Sequence, residues 1–384
     1  MAAIADVRSR LESLDVLRGL DMFFILLPDP IPCIVVTFCA MFGWEHSAFA
    51  LQFDHVAWEG LHLYDCVFPL FLFVSGVTFP FSYARQVEKG WSRARSLRKI
   101  AVRGLLLFAL GAMLWTVIDG TLEKNVLSLE WEHFRVWSVI GRIGIAWAAA
   151  ATMYVFLSRR MRILATAAIL VGMWAVVRFA VAPGAPAGTD PLVSPEFMFV
   201  NWLDVNYLTT AHRPEGGAVT VTMVATAMFG MFAGEILHSA RLTQGGKVLR
   251  LLALAAALLA VGLVMAFGLG RWSLPVIKAV WTSSFALVAG GISAAALAVT
   301  YWIVDIRGWR QWGFAFKVIG MNAIAVYILM RTVFNGPFFL EYFFGGLYKV
   351  FPPAVADFLS QAGLMALVWA FLYVLYRKKL FLKV

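Results

Sequence analysis

The chain has 384 residues, of which 61% are hydrophobic, 15% aromatic and 14% charged, with a net charge of +10 and a mean hydropathy of +0.80. An average soluble domain is about 45–50% apolar and about 25% charged, so these figures exclude a water-soluble enzyme and place the chain in a bilayer. The apolar runs are continuous, as in Ile163–Val181, Leu251–Gly270 and Ala362–Tyr376, rather than alternating ten-residue segments. That favours spanning helices over an outer-membrane barrel.

Met1–Glu12 is polar and leads into a long apolar segment without a small-residue cleavage site, so the first helix reads as its own insertion signal. Helices are predicted over 16–42, 66–84, 99–118, 137–157, 163–182, 217–237, 251–270, 277–304, 313–333 and 355–376. Together they describe an all-α polytopic membrane protein, a single domain over 1–384 with about ten crossings. Pro28, Pro30 and Pro32 break the first helix. Both termini then share one side. Basic clusters at Arg8–Arg18, Arg85–Arg103, Arg159–Arg162, Arg241–Arg250, Arg307–Arg310 and Arg377–Lys383 mark that side as cytoplasmic. The +10 charge is thereby explained by topology and gives no support for nucleic acid. The outer loops are the long ones, and 43–65 and 183–216 are the expected active-site mouth. Pro183, Pro186, Pro191 and Pro195 make the second a structured loop.

Ionisable side chains at membrane depth are default functional candidates, because each needs a partner or water to be tolerated. Asp21, Asp29, Arg142, Arg178, Lys278, Lys317 and Arg331 qualify. Of the six histidines, His46, His55, His62, His133 and His212 fall on the outer side. A neutral imidazole can take a proton from an attacking amine or hydroxyl, or itself carry an acyl group. Around His55 and His62, the carboxylates Asp54, Glu59 and Asp65 are near enough in sequence to orient such a ring. No metal is expected: the seven-residue gap between these histidines lacks the i, i+4 spacing of helical zinc sites, and Cys66 opens an apolar helix. Cys33, Cys39 and Cys66 build no disulfide framework.

Four stretches, in order, form a recognisable pattern. The first is Arg10-Leu-Glu-Ser-Leu-Asp15-Val-Leu-Arg18-Gly19. The second runs from His55-Val-Ala-Trp58-Glu-Gly60 through Asp65-Cys-Val-Phe68-Pro69 to Ser75-Gly76. The third is Arg135-Val-Trp-Ser-Val-Ile-Gly141-Arg142-Ile-Gly144. The fourth joins Pro275-Val-Ile-Lys278-Ala-Val-Trp281 to Asp305-Ile-Arg307-Gly308-Trp309 and Gly320-Met321-Asn322. With these the chain resembles the heparan-alpha-glucosaminide N-acetyltransferase family of transmembrane acyltransferases, especially its bacterial inner-membrane branch.

The resemblance implies transfer of an acetyl group from cytoplasmic acetyl-CoA, as co-substrate, to the amine of a glucosamine-type sugar or oligosaccharide at the outer, periplasmic face. It makes His55 the catalytic residue, as general base or acyl carrier, with Asp54 and Asp65 as its partners. At the inner face the phosphates of such a donor would meet Arg18 and the Arg93–Arg103 block, Arg142 and Asn322 are candidates to stabilise developing oxyanion charge or to fix the donor arm, and Ser75 is assigned to the donor with them. Asp29, Trp58, Glu59, Glu215, Lys278 and Trp281 go to the acceptor. Besides the lipid bilayer and the sugar, it allows a homodimer. The chain departs from the family pattern at Pro28-Asp29-Pro30, at Ile277-Lys278-Ala279, where two amides are lost, and at Arg213-Pro214-Glu215-Gly216, where one charge is reversed. Those departures keep two alternatives open: a transporter using Asp29, Lys278 and Lys317 near the midplane, and a relative that keeps the fold without catalysis.

Overall fold

A computed structural model describes residues 11–25, 34–124, 137–208, 216–332 and 337–382. In chain order the helices are α1 (Glu12–Ile25), α2 (Ile34–Ala40), α3 (Ala48–Leu51), α4 (Val67–Val77), α5 (Phe79–Glu88), α6 (Arg93–Lys124), α7 (Val139–Phe156) and α8 (Arg159–Phe179). There follow α9 (Phe199–Leu203), α10 (Thr220–His238), α11 (Gln244–Leu263), α12 (Ser283–Tyr301), α13 (Phe314–Gly320), α14 (Ala323–Thr332), α15 (Pro337–Phe344) and α16 (Pro353–Arg377). Among the described residues the only β pairing is the isolated bridge between Val181 and Met198. The described residues form an all-helical protein. Seven helical segments among the described residues are long and apolar enough to cross a membrane: Leu63–Glu88, Val139–Phe156, Arg159–Phe179, Thr220–His238, Gln244–Gly268, Ser283–Ile306 and Pro353–Arg377.

Hydroxyl caps set several helix starts. Ser138 Oγ accepts the Gly141 N–H, Ser158 Oγ that of Met161 and Thr243 Oγ1 that of Gly246, each satisfying a donor that has no partner within its own helix. Among the described residues three expected helices are interrupted, the one over 66–84 by a turn at Thr78 between α4 and α5. The segment expected over 313–333 is broken at Met321-Asn322, between α13 and α14. The one expected over 277–304 begins only at Ser283, because residues 273–282 form a buried non-helical segment. The proline-rich break at 26–33 lies outside the described residues.

The chain divides into two compact units. The first draws on Met1–Ala57, Leu61–Phe71 and Val299–Lys383. In it α1 crosses α13 at backbone contact: a Cβ on Gly19 would fall on the Phe316 carbonyl, and one on Gly320 on the Asp15 carbonyl. Such close approach is what small residues allow in membrane helices. Lys317 Nζ lies 3.1 Å from Glu12 Oε1, and the Ser13 N–H donates to Asp305 at the start of α1. The Trp369 indole of α16 donates to the Ala315 carbonyl of α13.

The second unit comprises Trp58–Gly60 and Leu72–Ala298. Here α6 and α7 meet at Gly104 and Gly144, and α10 meets Phe73 and Val77 through Gly230 and Gly234. Arg162 of α8 reaches Glu235 of α10 at 2.7 Å. Gly291 of α12 packs on Leu259 and the Ala255 carbonyl of α11.

Candidate active site

The loop over 43–65 is not loose. Ser47 caps α3 by accepting the Ala50 N–H, and the chain then doubles back. Both the backbone carbonyl and the side-chain oxygen of Gln52 accept N–H groups, from Tyr64 and Leu63. That closure carries residues 54–56 to the 3₁₀ turn Leu63–Cys66, where Asp65 sits at the third position. The Asp65 side chain is 1% exposed. Its Oδ2 accepts the His62 N–H at 3.1 Å and that of Val56 at 3.4 Å. Its Oδ1 lies 2.7 Å from Nδ1 of His55. With Asp65 ionised its carboxylate can only accept, and Nδ1 then carries the hydrogen and leaves Nε2 as the basic nitrogen. The His55 side chain is half exposed, in contrast to its buried partner.

Around this pair the support continues. The Tyr64 ring lies 4.7 Å from the imidazole, centroid to centroid, and the Tyr64 hydroxyl donates to the Phe24 carbonyl near the end of α1. Asp54 accepts the backbone N–H of His55 at 2.7 Å, and His62 Nδ1 donates to the Asp54 carbonyl. Of the two expected partners, Asp65 orients the imidazole and Asp54 fixes the backbone beneath it. A buried carboxylate holding the far nitrogen of a half-exposed imidazole is a general-base arrangement. Among the described residues no three His, Cys, Asp or Glu side chains gather as a metal-ligand set.

The first unit also contains Arg18, whose guanidinium is 3.4 Å from Asp15, and Asn322, at the break between α13 and α14. Asn322 Oδ1 accepts the Leu382 N–H, whereas its buried Nδ2 has no hydrogen-bond partner among the described residues. Both carboxylate oxygens of Asp21, on α1, are likewise buried without one.

The remaining expected residues that the structure describes belong to the second unit. Trp58 is half-buried and Glu59 exposed, beside Gly60, whose N–H donates to the Val276 carbonyl. Ser75 is half-buried in α4, and Lys278 stands in the non-helical segment rather than in a helix. Trp281 is fully buried at φ 46°, with its indole N–H donated to Thr226 and its ring edge-on to Phe285. Arg142 is fully buried in α7. Asp29 and Glu215 lie outside the described residues, as do Arg213 and the side chain of Arg331. Two of the intramembrane candidates have ordinary partners: Arg178 bonds Asp190 and the Arg271 carbonyl, and Lys317 meets Glu12.

Asp204 was not anticipated. It is buried, it accepts the Ala218 N–H at 2.8 Å, and a Cβ on Gly216 would collide with its carboxylate. Burial raises its pKa, while the Ala218 and Gly217 N–H groups and the field of Arg142 pull the other way. Trp137, whose indole N–H goes to the Leu208 carbonyl, fills the space beside Gly217. The only sequence signal for this joint is the Gly216-Gly217 pair.

No family model matches the chain. Its relatives include human heparan-alpha-glucosaminide N-acetyltransferase, 24% identical over 98% of this chain, and the mouse protein of the same name, 24% identical over 86%. The alignments take in 60% and 56% of those proteins, so the chain spans a little over half the length of the relatives it matches. Similarity over most of the chain supports the family resemblance carried by the four motifs. Together with the apolar helices, it supports a multi-pass membrane protein related to acetyltransferases.

Proposed function

We propose that the chain is a transmembrane acyltransferase that passes an acetyl group from acetyl-CoA on the cytoplasmic side to the amine of a glucosamine-type sugar on the outer side. The observation that carries this reading is the His55–Asp65 pair: a half-exposed imidazole whose Nδ1–H is held at 2.7 Å by a buried carboxylate. Asp65 holds one tautomer and opposes the positive charge that develops on the ring. His55 Nε2 removes the proton of the sugar amine as its nitrogen bonds to the acetyl carbonyl carbon. The carbon–sulfur bond then breaks, and CoA leaves as the thiol, taking the proton back from the His55 imidazolium. His55 as a transient acyl carrier would use the same nitrogen as nucleophile.

The first unit also contains groups that fit the donor. Arg18 is a cation suited to its phosphates. The buried, unused N–H groups of Asn322 suit a carbonyl of its amide-rich arm.

The test is transfer of labelled acetyl from acetyl-CoA to glucosamine and other amino sugars by the reconstituted protein. His55→Ala is expected to lower turnover by roughly 10²–10⁴-fold with acetyl-CoA binding unchanged by calorimetry. Undiminished turnover in that variant would remove His55 from the mechanism, and wild-type protein that binds no acetyl-CoA would overturn the whole reading.

A further inference from the structure

From the last turn of α5 to the first turns of α6 stand Arg85, Lys89, Arg93, Arg95, Arg98 and Lys99, with Glu88 as the sole carboxylate of the segment. All six cations are exposed. Among the described residues none is within ion-pair distance of a carboxylate. The positive-inside rule accounts for their number but not for their arrangement. After α5 the chain reverses through Gly90 (φ +69°), and the Trp91 N–H returns to the Gln86 carbonyl at 3.0 Å. Ser92 Oγ then accepts the Arg95 N–H at the start of α6. This turn sets the half-buried Trp91 ring as a shelf, with the Arg95 guanidinium 4.2 Å and the Lys99 ammonium 5.4 Å from its centroid. Two like charges are thus held together with no protein anion between them.

The same helix face then changes character. Residues 95, 99, 102, 106 and 113 recur at helical spacing, and Val102, Leu106 and Met113 are exposed at 48%, 53% and 55%. If the apolar run expected to span over 99–118 is placed in a bilayer, such a stripe would meet acyl chains. The change from cation to hydrocarbon takes about one helical turn, roughly 5 Å, which is the scale of a phosphate above the first methylenes of its lipid. A soluble phosphate compound would have no use for the stripe.

We propose that Trp91, Arg95, Arg98 and Lys99 form a binding site for the phosphate headgroup of an anionic phospholipid, whose acyl chains lie along Val102, Leu106 and Met113. The probe is phosphatidylglycerol, offered as a minor component of phosphatidylcholine nanodiscs. The readout is the ratio of the two lipids retained by the full-length protein in native mass spectrometry. Arg95→Gln/Lys99→Gln is expected to lower phosphatidylglycerol retention by about fivefold per cation removed. Arg95→Lys/Lys99→Arg, which keeps the charge, is expected to preserve it, and Trp91→Leu, which removes the shelf without altering charge, to lower it in part. A matching unfolding temperature in detergent confirms that each variant is folded. If the glutamine pair fails that check, Trp91→Leu decides alone. Equal retention in the folded variants would overturn the proposal. So would loss of acetyl-CoA binding with lipid retention intact, which would return these cations to the donor's phosphates.

Discussion

Nδ1 of His55 lies 2.7 Å from Oδ1 of Asp65, ten residues on, whereas Asp54, the immediate neighbour, accepts only the histidine's backbone N–H. The two carboxylates therefore have different tasks. Asp65→Asn would present either a carbonyl or an NH₂ group to Nδ1, and the NH₂ group favours the tautomer that removes the lone pair from Nε2. Acetyl transfer is expected to fall by roughly 10²–10⁴-fold, with little change in acetyl-CoA affinity. Asp54→Asn keeps an oxygen for the backbone N–H and is expected to retain turnover within about threefold, the ordinary context scatter of one hydrogen bond. Equal losses in the two variants would mean that the pair acts through loop architecture rather than through the imidazole.

The split between these carboxylates shows what the sequence could and could not reveal. The long apolar runs marked the seven segments of the described residues that are long and apolar enough to cross a membrane, and the His55 to Asp65 spacing marked the loop. Which acid reaches the ring depends on the fold-back of Leu63 and Tyr64 onto Gln52, a contact without a local signature. The non-helical stretch before α12 was hidden for another reason. Ile277, Val280 and Trp281 are buried, and a short buried apolar run reads alike as helix or as irregular chain. Asp204 was illegible because the N–H it bonds belongs to Ala218, 14 residues later.

Two neighbouring hydroxyls tie that irregular stretch together: Ser284 Oγ donates to the Pro275 carbonyl at 2.8 Å and lies 2.9 Å from Thr282 Oγ1. Thr282 Oγ1 accepts the N–H groups of Ile277 and Phe285 and is 3.0 Å from the Pro275 carbonyl. Thr282→Val keeps the shape and leaves two buried donors unmatched, at about 1–3 kcal/mol each. Its unfolding temperature in detergent is expected to drop clearly, while Thr282→Ser remains close to wild type. A valine variant as stable as the parent would show that the segment is held by packing alone.

Glycine tolerance should follow geometry rather than helix propensity. A Cβ on Gly320 meets the Asp15 carbonyl, a backbone atom that no rotamer change can move. Gly320→Ala is expected to destabilise by at least about 1–3 kcal/mol, the usual penalty of overpacking. Gly172, in α8, has open space around its missing Cβ, so Gly172→Ala should be neutral or stabilising by up to about 1 kcal/mol. Thermal unfolding of the two variants side by side checks the contrast, and similar shifts would contradict the backbone-to-backbone crossing of α1 and α13.

Asp204 gives a pH dependence whose sign can be worked out. Burial raises its folded-state pKa above the unfolded value of about 3.9, so the folded protein binds the proton more tightly than the unfolded chain. Stability from this group is fully present below the unfolded pKa and is lost as pH rises through the raised folded value. Asp204→Asn keeps an oxygen for the Ala218 N–H and removes the titration. The unfolding temperature of wild type minus that of Asp204→Asn is therefore expected to fall as pH rises from about 4 towards neutrality. A difference that grows over that range would mean that Arg142 and the Gly217 and Ala218 N–H groups outweigh burial, and that Asp204 is stabilised as the anion.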